Sequence, residues 1–378
     1  MTMYRRLLLV SVFTLATLSS SHGEDPSTME MYRRYGNAQG QMAPVYNPPV
    51  QQAPAYAPPA QPVYQAAQNT DDDIGGFQHW LHGFRQRAAG QGLDSATLNR
   101  ALAGIEYKPR VIELDGKQPE GKITFVQYKK NIVSPKRIAD GRARLAANRT
   151  LLNRISRQYG VPPQYIVALW GIETNYGRNT GGFDTLSALA TLAYEGRRAS
   201  FFEKEFVNAL KILQGGHAGT DRLTGSWAGA LGQCQFMPTS YMRYGADGDG
   251  DGTINIWDSL PDVFASTANY LKTEGWNEDL RWGRKVIAPN TIPASEYGRE
   301  VRKPLSYWVQ KGVKLPGGKH LPATGNDLNT LASLVAPDGP GTETFLVYQN
   351  YNVIMHWNRS TYFATSVGLL ADAIANGP

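Results

Sequence analysis

The stretch Val161-Pro162-Pro163-Gln164-Tyr165-Ile166-Val167-Ala168-Leu169-Trp170-Gly171-Ile172-Glu173-Thr174-Asn175-Tyr176-Gly177 decides how the rest of the chain is read. Pro162 and Pro163 suit the first turn of a helix, where a missing N–H costs nothing. Tyr165, Ile166, Leu169, Trp170 and Ile172 then form a broad apolar surface, so this helix is expected inside its domain. Glu173 follows on that surface near the helix end, and the next basic residue is Arg178. A carboxylate leaving an apolar helix is desolvated unless it finds a partner, and desolvation raises a carboxyl pKa. That is the condition for a general acid at neutral pH, as glycoside cleavage requires. A helix-terminal Glu pointing to solvent is the bland alternative, and for a lone Glu it would be preferred.

The flanking chain sets the frame. Met1 to Gly23 reads as a secretory signal: Arg5 and Arg6, an apolar run Leu7 to Leu18 too short to span a bilayer, and small residues at Ser21 and Gly23. No Cys follows that run, which argues against a lipid anchor, and the single Cys234 of 378 residues allows no internal disulfide. Residues 24–73 are low-complexity, rich in Pro, Ala and Gln, and too poor in core-forming side chains to offset their ordering entropy. A tether and a plain unstructured leader fit this linker equally. Residues 74–378 have globular composition and are long enough for a large core. Helices are expected at Phe77–Phe84, from Asp94 to Ile105, from Ser134 to Tyr159 with Gly160 as its stop, at Leu186–Tyr194, Phe202–Leu213 and Ser259–Thr273, and at the C-terminus through Phe363–Ala375. The stretch 286–347, rich in Pro, Gly and short β-branched runs, is expected to be irregular with a few strands. The fold class is thus mainly α (α+β), with a small β-containing part. No further segment is apolar enough for a membrane span, so an exported, periplasmic protein is expected.

Three clusters carry more. In Gly225-Ser226-Trp227-Ala228-Gly229-Ala230-Leu231-Gly232-Gln233-Cys234-Gln235-Phe236, three glycines would let backbone approach a ligand, and Ser226 and Gln235 offer neutral hydrogen-bond groups such as a sugar needs. A packing loop is the alternative. Asp247-Gly248-Asp249-Gly250-Asp251-Gly252-Thr253-Ile254-Asn255-Ile256-Trp257-Asp258 places oxygen ligands at loop positions 1, 3 and 5, Gly252 at the sharp turn, the Thr253 carbonyl at 7, Asn255 at 9 and Asp258 at 12. This EF-hand-like spacing points to a structural Ca2+, for which Na+ could substitute. Asp258 in place of the usual Glu shortens the last ligand arm, and a single loop argues against a paired calcium sensor. Finally, Trp357-Asn358 precedes the last helix, where Asn358 with its aromatic neighbours could complete a sugar site.

Together these motifs resemble the lytic murein transglycosylase B family (glycoside hydrolase family 103), which has a lysozyme-like fold. The resemblance covers about Phe77 to Ile374. It rests on Gly171-Ile172-Glu173-Thr174 with Tyr176-Gly177-Arg178, on Asp184-Thr185-Leu186 through Ala190-Thr191-Leu192, on Arg197-Arg198, the Gly225–Tyr241 run, the acidic loop and Asn269-Tyr270. It implies a lysozyme-like catalytic core with a helical lobe and Glu173 as the single catalytic acid/base. It also implies Tyr128, Ser226, Gln235, Phe236, Tyr270, Trp357 and Asn358 along a glycan cleft, and Arg197 and Arg198 at the peptide stem. The chain departs from the pattern at Phe201 and Phe363, where Tyr is usual, and at Trp357; ring stacking survives these changes and hydroxyl contacts do not. Cys234 stands where Gly is expected.

The activity the resemblance implies is cleavage of the β-1,4 bond between N-acetylmuramic acid and N-acetylglucosamine in peptidoglycan strands, giving 1,6-anhydromuramoyl ends without a catalytic cofactor. A lone carboxylate fits that route, because a hydrolase needs a second one, for which the sequence offers Asp184 and Glu195. A muramidase using water and a non-catalytic wall-binding protein are the competing classes, and a calcium-signalling role ranks below both. Wall polymer is the expected partner, with cell-wall synthesis complexes as a further expectation; no nucleic acid is. The formal charge of +6 would favour an anionic polymer only weakly after salt screening.

Overall fold

The computed structural model describes residues 70–116, 123–322 and 325–376. The expected signal segment 1–23 and almost all of the 24–73 linker lie outside these residues. Fourteen α-helices run through the described residues: α1 (Thr70–Ala89), α2 (Ser95–Leu102), α3 (Pro109–Gly116), α4 (Phe125–Ile132), α5 (Pro135–Ala147), α6 (Arg149–Tyr159), α7 (Pro163–Thr174), α8 (Thr185–Glu195), α9 (Ala199–Gln214), α10 (Pro238–Tyr244), α11 (Leu260–Thr273), α12 (Leu305–Gln310), α13 (Gln349–Trp357) and α14 (Thr361–Ala375). Helix α1 begins at Thr70, so the last four residues assigned to the linker are helical. Strands β1 (Phe183–Asp184) and β2 (Thr224–Gly225) form an antiparallel pair. Strands β3 (Gly283–Val286), β4 (Lys303–Pro304), β5 (Leu331–Val335) and β6 (Thr344–Val347) form an antiparallel sheet in the order β3-β6-β5-β4. The architecture is mainly α with a small β part, as the sequence implies.

Helix α7 is the centre of the main core. Its last ten residues, Tyr165 to Thr174, are all buried, and it packs against α5, α6, α11 and α14. It shows no amphipathic face because it has no solvent face to serve. A separate apolar cluster, built on Trp308, Leu334, Leu346 and Val286, fills the region of the four-stranded sheet. Trp308 is fully buried there and its Nε1–H donates to the Ala332 carbonyl at 3.0 Å.

The helix expected from Ser134 to Tyr159 is two helices. Ser134 caps the first through the Arg137 N–H, and Gly160 ends the second in left-handed conformation, as expected. Between them Asn148 leaves helical geometry (φ −111°, ψ 18°), its Nδ2–H donating to the Arg144 carbonyl at 2.9 Å. Asn competes for backbone hydrogen bonds in this way, and here it turns α6 towards α11.

The exit from α7 is tightly built. Asn175 (φ 51°), Tyr176 (φ 61°) and Gly177 (φ 81°) are successive left-handed residues, two of them carrying side chains that disfavour it. They fold the Tyr176 ring back over Gly171, where an added Cβ would lie 2.6 Å from the ring, and its hydroxyl donates to the Arg137 carbonyl at 2.7 Å. Gly171→Ala is therefore expected to destabilise the protein by about 1–3 kcal/mol through overpacking. Gly104→Ala, where a Cβ meets nothing within 4 Å, should leave denaturant unfolding almost unchanged. Equal midpoints for the two variants would contradict this account of the α7 exit.

Candidate active site

Glu173 sits in the last turn of α7 and is only 9% exposed. Its Oε1 accepts a hydrogen bond from the Trp357 Nε1–H at 2.9 Å, delivered from the end of α13. The Trp357 ring packs on Tyr270 of α11 (centroids 4.6 Å) and on Phe236 (5.2 Å), and Tyr270 in turn packs on Tyr244 of α10 (4.3 Å). Four aromatic rings from four separate segments thus form one wall beside the carboxyl group. Helix α4 brings Tyr128 close as well: burial pushes its hydroxyl up to about 12, and the nearby Glu173 charge adds to that rise. The Tyr128 ring lies 5.7 Å from that of Tyr362, whose hydroxyl donates to Asp338, and Asp338 also accepts the Phe125 N–H at the start of α4 at 2.8 Å.

The glycine-rich run is packed against the α7 exit. Gly181, Gly225, Gly229 and Gly232 are close to backbone or core side chains: an added Cβ would lie 2.0 Å from the Gly225 carbonyl at Gly181, and 2.1 Å from the Ala230 carbonyl at Gly225. These glycines let backbone approach backbone, so the packing-loop reading holds for them, and the ligand-approach reading is replaced. Gln235 is held in left-handed conformation (φ 51°), and its Nε2 donates to the Thr180 and Gly232 carbonyls, each at 3.0 Å. Its donors are spent inside the protein, which leaves the amide oxygen as its remaining hydrogen-bonding group. Ser226 Oγ accepts the Ala230 N–H at 3.0 Å, leaving its O–H to donate. Asn358 Oδ1 accepts the Ser360 N–H at 3.0 Å, while Ser360, not Asn358, caps α14.

Arg197 and Arg198 share a partner of their own. Both guanidinium groups converge on Asp115 at the end of α3, Arg198 at 2.5 Å, and Arg198 also lies over the Phe202 ring at 4.8 Å. The Asp115 carboxyl is almost fully buried, so the two arginines supply the charge compensation a buried carboxylate requires. Asp184 caps α8, accepting the Leu186 N–H at 3.1 Å and the Ser187 hydroxyl at 2.5 Å, and Glu195 accepts the Arg197 N–H at 3.3 Å.

In the acidic loop, carboxyl oxygens of Asp247, Asp249 and Asp251 lie within 4.8 Å of one another. Gly250 (φ 82°) and Gly252 (φ 88°) supply the left-handed turns, and their N–H groups bind the Asp247 carboxylate at 2.6 and 2.8 Å. Those bonds hold the Asp247 carboxyl below the usual range. The Thr253 N–H donates to Asp251 at 2.7 Å, and Asn255 Oδ1 accepts the Trp257 and Asp258 N–H groups. Asp258, expected as the closing ligand, is instead ion-paired with Arg222 at 3.2 Å. The loop is closed by Asp262, buried in the first turn of α11, which accepts the Gly248 and Asn255 N–H groups at 2.7 and 2.6 Å. The three converging carboxylates and the left-handed glycines fit a hard cation with oxygen ligands.

The family model described as the transglycosylase SLT domain matches residues 76–372. The chain belongs to the transglycosylase SLT domain family. It is 34% identical over 297 residues to the membrane-bound lytic murein transglycosylase B of Escherichia coli (strain K12), covering 75% of this chain and 79% of that protein. SltB3 from Pseudomonas aeruginosa, solved in complex with NAG-anhNAM-pentapeptide, is 42% identical, with 80% of each chain covered and a TM-score of 0.77. The Escherichia coli lytic transglycosylase SLT35, solved in complex with calcium, is 31% identical, with 78% of this chain and 92% of that one covered and a TM-score of 0.67. This transglycosylase is therefore an enzyme of the lytic murein type, with the lysozyme-like fold of those neighbours.

Sequence reasoning missed Tyr244 and Gln233 around Glu173. Tyr244 lies in a seven-residue helix too short for periodicity to reveal, and Gln233 sits two residues from the glutamine that was singled out. Cys234 is fully buried, its thiol pushed up to about 12 by burial, so it acts as a small core residue rather than a nucleophile. The Trp357 N–H is the part of the wall most directly testable. Trp357→Phe keeps a ring against Tyr270 and Phe236 but removes the donor, and transglycosylase turnover should fall at least about 10-fold, the worth of one hydrogen bond to a carboxyl group. Full turnover in that variant would show that the bond does not matter to the reaction.

Proposed function

We propose that this transglycosylase cleaves the β-1,4 bond between N-acetylmuramic acid and N-acetylglucosamine in peptidoglycan, with Glu173 as its only acid and base. The observation that carries the reading is the Glu173 carboxyl, buried at the end of α7 and fixed by the Trp357 N–H beside an aromatic wall. Glu173 gives its proton to the glycosidic oxygen as the C1–O bond breaks, and the substrate's own acetamido carbonyl supports the charge at C1. The muramoyl C6 oxygen then attacks C1, and its proton returns to Glu173. The carboxyl group ends as it began, no water is consumed, and the product carries a 1,6-anhydro ring.

The surroundings support each part of this scheme. Asp184 and Glu195, the carboxylates that a hydrolase reading would recruit, are engaged in local caps. The Trp357, Tyr270 and Phe236 rings offer apolar faces for sugar stacking and exclude water. Tyr128, Ser226, Gln235 and Asn358 supply neutral groups for sugar hydroxyls and acetamido groups, and the Arg197–Arg198 pair would meet the carboxylates of a peptide stem. SltB3, 42% identical to this chain, was solved with NAG-anhNAM-pentapeptide and NAG-NAM-pentapeptide, which supports the same substrate class here. A C6 hydroxyl on the bound substrate also has a high effective molarity relative to water.

The acidic loop is proposed to hold Ca2+, or Na+ in its place, through Asp247, Asp249, Asp251 and the Thr253 carbonyl, with Asp258 as a further ligand once released from Arg222. The ion's chemistry would be structural: it neutralises three converging carboxylates and plays no part in proton transfer. Residues 1–23 are proposed to direct export to the periplasm, and residues 24–73 to serve as a spacer. Among the described residues no helix is long and apolar enough to cross a membrane.

Two experiments test these assignments. Glu173→Gln is isosteric but cannot supply a proton, so glycan release from purified sacculi should fall by at least about 100-fold with the circular dichroism spectrum unchanged. Turnover within tenfold of the parent would remove Glu173 from its role. The melting temperature should rise with calcium concentration, because a ligand stabilises the state that binds it, and Asp251→Ala should abolish that rise. A parent protein whose melting ignores calcium would reduce the loop to a turn.

A further inference from the structure

Gln233 occupies a place in the molecule that the proposed chemistry does not use. It is buried, and its backbone N–H donates to the Ile256 carbonyl at 2.8 Å. Its side-chain Nε2 donates to the Trp257 carbonyl at 2.7 Å, and its Oε1 accepts the Trp170 Nε1–H at 2.8 Å. Its own carbonyl accepts the Thr174 hydroxyl at 3.1 Å, and the Thr174 Oγ1 in turn accepts the Gly177 N–H at 3.1 Å. The fit on the remaining side is close: a Cβ at Gly177 would lie 2.3 Å from the Gln233 Oε1. One residue is thus bonded to α7 at Trp170 and Thr174, on both sides of Glu173, and to the chain leaving the acidic loop at Ile256 and Trp257.

We propose that Gln233 is a positioning residue for the reaction: its amide bridge from Trp170 to Trp257 fixes the last turn of α7, and with it the direction of the Glu173 carboxyl group. The inference rests on Glu173 as the acid/base and adds the group that aims it. The physical need is specific. The last carbonyls of a helix lack intrahelical partners, and this helix ends in successive left-handed residues that cost energy to hold. Left to itself such a turn frays, and an acid displaced by about 1 Å can lose up to about 100-fold in rate. Gln233 ties the turn to Trp257 through the two ends of one planar amide, Oε1 on the Trp170 indole and Nε2 on the Trp257 carbonyl, so rotation of the turn breaks a buried hydrogen bond, which is costly. Gln235, two residues on, turns its amide the other way and bonds the Thr180 and Gly232 carbonyls, so the two glutamines divide the work: one grips α7 and one holds the loop that follows it.

The test is Gln233→Met, which keeps volume and removes the bridge, together with Trp170→Phe, which removes the same bond from the other side. In the bridge-dependent case kcat falls roughly 10-fold to 100-fold while KM stays within about twofold, and the double variant is no slower than the slower single one. Hydrogen exchange should quicken at the amides of Asn175, Gly177 and Asn179 but not in α14, whereas a general loss of stability would quicken both. If Gln233→Met does not fold, Trp170→Phe carries the kcat test alone. A parental kcat in either folded variant, additive losses in the double variant, or exchange that quickens throughout the molecule would overturn the proposal. Glu173→Gln, measured alongside, separates the two levels: activity there sinks the acid/base assignment itself, whereas an inactive Glu173→Gln beside a fully active Gln233→Met sinks only the positioning role.

Discussion

A carboxyl group at the C-terminal end of a buried helix meets two electrostatic penalties together: lost hydration, and the negative end of the helix dipole. Glu173 is placed there, with α7 buried from Tyr165 to Thr174 and four other helices packed around it. The rest of the molecule is arranged to meet that constraint. Trp357 donates from α13 to one carboxyl oxygen, the Tyr270 ring packs against its indole, and Tyr128 arrives from α4 on a short helix anchored by Asp338. The Trp357 donor to Glu173 is a neutral indole. A neutral donor orients the group without committing it to the ionised form, which is what a residue that must both give and take a proton needs.

The same economy appears away from the carboxyl group. Charges that do become buried are compensated at once, as Asp115 is by Arg197 and Arg198, and Asp262 by two backbone N–H groups of the acidic loop. Burial nevertheless raises the Asp262 pKa, with Asp249 and Asp247 adding to the rise. A raised carboxyl favours the folded state when protonated, so its stabilising contribution is complete below the ordinary carboxylate range and is lost as pH rises through the folded value. At neutral pH the loop therefore holds several negative charges in close quarters, and a cation there would relieve them. Its exit at Ile256 and Trp257 is the same backbone that Gln233 grips.

Much of this was legible in the sequence, and the failures have physical reasons. Helix α7 could be read from Pro162–Pro163 and an unbroken apolar run, because full burial leaves a run rather than a stripe. The caps at Asp94, Ser134 and Gly160 were legible because each is a residue type whose side chain or missing side chain does one local job. The break at Asn148 was not, since no Gly or Pro marks it and the apolar pattern continues across it. Helices of six to nine residues, such as α3, α10 and α12, hold too few turns for a period to register. At the site, the burial of Glu173 was legible from its setting; Tyr270 entered by resemblance alone, and Trp357 also by its place beside Asn358 before the last helix. The glycines of the 225–232 run were read as room for a ligand, whereas each is consumed by a neighbouring strand or core side chain. Gln233 was invisible: nothing in the order Gln233-Cys234-Gln235 says which amide turns inward. That depends on the left-handed backbone at Gln235, which tertiary packing imposes.

The central claim is that one buried carboxyl group, oriented by the Trp357 N–H, completes the reaction without water. Mass spectrometry of the products released from purified sacculi in 18O-labelled water tests it most directly. The account expects 1,6-anhydromuramoyl ends with no label. Reducing-end muramic acid carrying one 18O would contradict it, and would require a second carboxylate close enough to Glu173 to activate water.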